Sequence, residues 1–125
     1  MASPREKSLV SRKIDTLIIG AGQAGIATSR HLTELGVPHV VLERDRIAER
    51  WRSQRWDSLV ANGPAWHDRF PELEFPGIGA DDFATKSQTV DYFIEYANRY
   101  NAPIKEGVAV SEVVRNSKRS GFNVE

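Results

Sequence analysis

Apolar residues along this chain fall into two rhythms, and the changes between them predict its elements. Leu17, Ile18 and Ile19 form an unbroken apolar run that reads as a buried strand over 15–19. Beyond three glycines, Ile26, Ala27, Leu32 and Leu35 give one apolar side of a helix over 23–35, which Gly36 can stop. Val37 to Leu42 then reads as a second buried strand, placed over 39–43. The apolar positions Val90, Phe93, Ile94 and Ala97, with Tyr100 closing the end, predict a helix over 87–100. Ser87 is its expected cap, and Asn101-Ala102-Pro103 its stop. Strand character resumes over 104–115, with a strand placed at 107–114, and Phe122 to Glu125 begins another alternating strand after a polar turn.

Between the second strand and the later helix this regularity lapses. Residues 44–56 are rich in arginine around Ile47, Trp51 and Trp56, which can share one side of a short helix. Two readings stay open for the tryptophans: amphipathic packing, or a planar cofactor wall with arginines near anionic groups. Residues 57–80 carry the turn signals Asn62-Gly63-Pro64, Phe70-Pro71 and Phe75-Pro76-Gly77. Trp66, Phe70, Leu73 and Phe75 favour a loop that packs. His67 lacks the neighbouring ligands a metal site needs and reads as an anchoring loop residue, while His31 and His39 also read as structural.

Composition changes this picture only a little. The 125 residues suit one small domain, and 17 basic against 17 acidic residues suggest no nucleic-acid surface. The absence of cysteine removes disulfide and thiolate chemistry from these residues. No apolar run approaches the roughly 20 residues that cross a bilayer. Residues 1–12 read as a flexible polar tail before a domain over 13–125, and a soluble cytoplasmic protein is expected.

The candidate chemistry sits at the first change of rhythm. In Gly20-Ala21-Gly22-Gln23-Ala24-Gly25, Gly20 permits a tight turn, Gly22 admits a pyrophosphate, and Gly25 lets the helix lie against the strand. The amides of Gln23 and Ala24, at the positive end of the helix, would face the phosphates. Glu43 follows Gly25 by eighteen residues, where an acid accepts hydrogen bonds from an adenosine ribose. Arg44 beside it is a residue often read as binding an NADP phosphate.

Gly20 to Gly25, Glu43-Arg44, Trp51-Arg52, Trp56-Asp57-Ser58-Leu59 and Ala84 to Gln88 together resemble the flavin-containing monooxygenases, in particular bacterial flavoproteins and the plant indole-pyruvate monooxygenases. The resemblance runs from about Asp15 to the last residue. It implies a three-layer α/β Rossmann-like domain for FAD/NAD(P), incomplete, with the start of an antiparallel strand excursion. It implies FAD on the first fingerprint, Trp51 and Arg52 along the cofactor, the loop at Asn62 near the flavin ring, and Val108 and Val110 near the adenine. One departure is Ala48-Glu49-Arg50, where much of the family has a glycine pair, at some cost in backbone freedom.

The activity implied is NADPH-dependent oxygenation of a small organic substrate, with NADPH bound by the full-length parent. The sequence contains one glycine fingerprint, so the isolated chain is expected to be an incomplete catalyst. A missing C-terminal segment or a homo-oligomer would pair its open strand. The alternatives are an FAD-dependent pyridine-nucleotide oxidoreductase without oxygenation, or a non-catalytic dinucleotide-binding remnant stabilised by a partner.

Overall fold

The computed structural model describes residues 12–118 and 120–125. The polar tail expected over 1–12 lies outside these residues apart from Arg12.

Three strands form a parallel sheet: β1 (Thr16–Ile19), β2 (His39–Leu42) and β3 (Ile104–Lys105), with β2 in the middle. Thr16 stands opposite His39 and Ile19 opposite Leu42, while Val41 faces Ile104 on the other side. Val41 is fully buried, as the centre of a parallel sheet requires.

Helix α1 (Gln23–Glu34) connects β1 to β2 and packs on both. Its last turn closes as a Schellman motif. Gly36 takes φ +69° and donates to Thr33 O, while Val37 donates to Leu32 O at 2.9 Å. His39 bonds the buried Ser29 hydroxyl through Nε2 at 2.8 Å, joining β2 to α1, so its role is structural.

Helix α4 (Lys86–Arg99) lies on α1 and organises most of the core, after two short helices, α2 (Glu49–Ser53) and α3 (Ala65–Asp68). Its cap is Thr85 rather than Ser87. The Thr85 hydroxyl accepts from the Gln88 amide, and the Gln88 side chain accepts from the Thr85 amide, a reciprocal capping box. Asn101 in the left-handed region (φ +50°) and the bond from Ala102 to Ala97 O end the helix.

The buried face of α4 is also wider than its aliphatic stripe. Tyr92 and Tyr96 are almost wholly buried, whereas Ile94 is only partly so. The reason lies in residues 70–75. Tyr92 Oη accepts the Phe70 amide at 2.7 Å and donates to Leu73 O at 2.6 Å, and Tyr96 Oη donates to Pro71 O at 3.0 Å. Phe70, Leu73 and Phe75 join the core against these rings, so the long loop packs as expected, except at Trp66, which is exposed.

The strand placed over 107–114 is resolved differently. Residues 104–105 form β3, and Gly107 and Val108 extend the pairing by donating to Asp45 O and Glu43 O. Residues 109–112 belong to no strand, and β4 (Val113–Arg115) turns back to pair antiparallel with β5 (Phe122–Val124). Thus β5 finds one partner within the chain. Gly107 and Gly121, both at positive φ, break the extended run where the direction changes.

Candidate dinucleotide site

The glycine loop has the geometry that its three glycines individually require. Gly20 takes φ +100° and donates to Leu42 O at 2.8 Å, which locks the turn to the end of β2. A Cβ on Gly25 would collide with the carbonyl of Gly20, so only glycine lets α1 start this close to β1. Gly22 is the opposite case. Nothing lies within 4 Å of where its Cβ would be, and the space above it is open.

Gly22 is the N-cap of α1 and supplies no side-chain cap. The amides of Gly22, Gln23 and Ala24 donate to no group among the described residues. These N–H groups, the helix dipole behind them and the open cradle fit a pyrophosphate.

Glu43 stands immediately beside this loop. Its Oε1 accepts the amide of fully buried Ala21 at 2.9 Å, and its Oε2 accepts the Asp45 amide at 2.7 Å. A carboxylate offers about four acceptor directions, so capacity for ribose hydroxyls remains after these two bonds. Arg44 is exposed and its Nε lies 3.3 Å from Asp45. Val108 is tied to the Glu43 carbonyl, which brings the 107–110 segment next to the acid, with Val110 half-buried two residues on.

The arginine-rich segment is brought to the loop by an unusual turn. Ala48 is buried, takes the left-handed conformation at φ +59°, and donates to Ala21 O at 2.9 Å. A non-glycine residue adopts this conformation only at a cost, and Ala48 carries it. Arg52 secures the turn by donating Nε to Ile47 O at 3.0 Å.

One turn into α2, Trp51 is half-buried, set edge-on to Phe93 at 6.3 Å, with the Arg55 guanidinium 4.6 Å from its ring centroid. Trp56 does not share this face and is 64% exposed. Arg46 is committed to Glu49 by two bonds, at 2.6 and 2.9 Å, and this hydrogen bonding holds the Glu49 carboxyl down at about 2.

Asn62 is exposed on the turn after a short antiparallel pairing, in which Lys86 donates to Leu59 O and Ala61 to Ala84 O. Among the described residues it makes no hydrogen bond to the glycine loop. His67 is exposed and bonds its neighbour Asp68, and it is the Asp68 carboxylate that ties the turn by accepting the Gly63 amide. Among the described residues no cluster of three potential metal ligands occurs, and no helix is long and apolar enough to cross a membrane.

Two features escaped sequence reasoning: the Arg55–Trp51 stack and the Glu43–Ala21 bond. The first had only a weak signal, an arginine close in sequence to a tryptophan, because Arg55 lies past the end of α2 and the bend at 54–55 turns it onto the ring. The second had none, since it joins groups twenty-two residues apart.

The parallel sheet, the open glycine turn and the acid at the next strand end together define a dinucleotide-binding α/β domain. The profile of the pyridine nucleotide-disulphide oxidoreductases matches residues 17–125, and the chain belongs to that family, as a flavin-monooxygenase-like member. It is 35% identical over 102 residues to indole-3-pyruvate monooxygenase YUCCA6 of Arabidopsis thaliana, covering 81% of this chain and 24% of that protein. It is 34% identical over 92 residues to an uncharacterized CzcO-like oxidoreductase of Geobacillus kaustophilus, covering 73% and 26%.

Among solved structures, a flavin-containing monooxygenase from Stenotrophomonas maltophilia superposes with a TM-score of 0.74 at 24% identity, over 89% of this chain and 33% of that one. Bacillithiol disulfide reductase Bdr from Bacillus cereus gives a TM-score of 0.79 at 19% identity, over 90% and 33%. The chain spans about a quarter of the length of the curated relatives described here.

Proposed function

We propose that this chain is the FAD-binding portion of an NADPH-dependent flavoprotein monooxygenase acting on a small organic substrate. The observation that carries the reading is the joint placement of two features at Ala21. Its amide binds Glu43 and its carbonyl binds Ala48, so the phosphate cradle, the ribose acid and the Trp51 helix converge on one residue. An adenine nucleotide alone would use the first two. The planar Trp51–Arg55 stack beside them favours a cofactor with an extended aromatic half, and the flavin-monooxygenase likeness points the same way.

In this reading the Gln23 and Ala24 amides hold the pyrophosphate, Gly22 admits it, and Glu43 takes the ribose hydroxyls. Trp51, Arg52 and the loop at Asn62 flank the remainder, and Val110 lies toward the adenine. Bound flavin supplies redox and oxygen chemistry, while this chain's residues bind and orient it. The disulphide chemistry in the family's name is not carried by these 125 residues, which contain no cysteine.

The test is a titration of the purified chain with FAD and with NADPH, followed by absorbance in air and without oxygen. FAD binding with weak or no NADPH binding supports the assignment. Tight NADPH binding without flavin affinity reverses it. A panel of sulfides, amines and ketones, with oxygenated product measured separately from peroxide, then tests oxygenation.

A further inference from the structure

Lys86 breaks a local rule. It is the first residue of α4, where the aligned peptide dipoles already place positive potential, and a cation there opposes the helix. Its side chain is also only 15% exposed. A residue that violates local preference in this way is held for a reason outside its own element.

That reason is visible in its partners. The ammonium donates to the Arg55 carbonyl at 3.1 Å and to Asp57 Oδ1 at 3.1 Å. The Asp57 side chain is wholly exposed, so water and salt screen that pair, and the backbone bond to Arg55 defines the geometry. The guanidinium of Arg55 lies on the Trp51 ring, and its buried Nε has no hydrogen-bond partner. Its position is set by the ring and by its own backbone, and that backbone is what Lys86 grips. Trp51 in turn sits on the helix that starts at Ala48, the residue bonded to Ala21 in the glycine loop.

We propose that Lys86 is a positioning residue for the cofactor: it fixes the backbone at Arg55 and thereby sets the Arg55–Trp51 stack that flanks the dinucleotide cradle. It acts on the flavin half of the ligand and leaves the adenosine half, held by Gly22 and Glu43, unaffected. The inference rests on the FAD reading above. A purely structural role would affect both halves alike.

The test compares ADP and FAD binding to the full chain by calorimetry and flavin fluorescence, with the visible circular dichroism of bound flavin as a report on its orientation. Lys86→Met is expected to bind ADP as the wild type does, to bind FAD about tenfold more weakly, and to alter the flavin dichroism. Lys86→Arg restores most of the FAD affinity. Arg55→Met, which keeps the carbonyl but removes the stack, is expected to show the same FAD-selective loss, and the double variant to add little to it. Equal loss of ADP and FAD, unchanged FAD binding, or additive losses in the double variant would overturn the proposal. If Lys86→Met does not fold, Arg55→Met and its ADP-to-FAD ratio decide alone. Wild-type chain that binds ADP but not FAD overturns the FAD reading and this inference with it, whereas normal wild-type FAD binding with an indifferent Lys86→Met overturns only the inference.

Discussion

The amide of Ala21 and the carboxylate of Glu43 meet at 2.9 Å, joining the glycine loop to the end of the neighbouring strand. Glu43 therefore shapes the cradle as well as facing it. Glu43→Ala leaves the buried Ala21 amide without an acceptor, at a cost of about 1–3 kcal/mol. It is expected to weaken ADP and FAD alike by at least about tenfold. Glu43→Gln keeps an acceptor for Ala21 and should recover most of the stability but less of the affinity. Urea unfolding and calorimetric titration separate the two effects.

Gly25 and Gly22 should fail in different ways. Gly25→Ala forces a methyl into the Gly20 carbonyl and is expected to destabilise the fold by about 1–3 kcal/mol through overpacking. Gly22→Val meets open space and should change the unfolding midpoint little, while blocking the approach of the pyrophosphate. Urea midpoints and ADP titrations on both variants read this directly. A Gly22→Val protein that binds ADP normally would remove the pyrophosphate from this loop.

Ala48 holds a left-handed conformation in a buried turn. In Ala48→Gly, relief of about 1 kcal/mol of backbone strain is offset by a lost buried methyl worth about 0.8 kcal/mol, so stability should hardly move. Ala48→Val adds a β-branched chain at positive φ in a filled space and should destabilise by about 2–4 kcal/mol. Thermal or urea unfolding of the pair distinguishes strain from packing.

Tyr92 gives the fold an alkaline limit. Burial pushes its phenol up to about 12, because the charged phenolate is excluded from the core. In the unfolded chain the same group ionises near its ordinary value of 10.0. The stabilisation is fully present below that value and is lost as pH rises from there through about 12. Tyr92→Phe should flatten this loss in urea unfolding curves taken across that range. At neutral pH it should cost about 2–4 kcal/mol by leaving the Phe70 amide and Leu73 carbonyl unpaired.

The elements built from local periodicity were legible in advance. The run Leu17–Ile19, the helix after Gly22 and the helix ending at Asn101 follow from short-range pattern and from glycine or asparagine at a left-handed stop, although the first strand is only half-buried and its Ile19 is exposed, contrary to the expected burial. The spacing of Gly20, Gly22 and Gly25 also predicted a close approach at 25, because packing a helix onto a strand requires it within six residues. Tertiary structure decided what depended on distant partners. Thr85 took the cap because its hydroxyl and the Gln88 side chain could satisfy each other's amides, whereas Ser87 lay within the helix. Tyr92 and Tyr96 turned inward because the 70–75 loop offered backbone groups for their hydroxyls. The strand-like stretch after Ile104 was divided, since pairing with β2 ends at the Glu43 and Asp45 carbonyls and the later valines find their partner in Phe122–Val124. Periodicity records which residues prefer burial or extension. Which carbonyl, ring or strand receives them is a property of segments that meet only when the chain has folded.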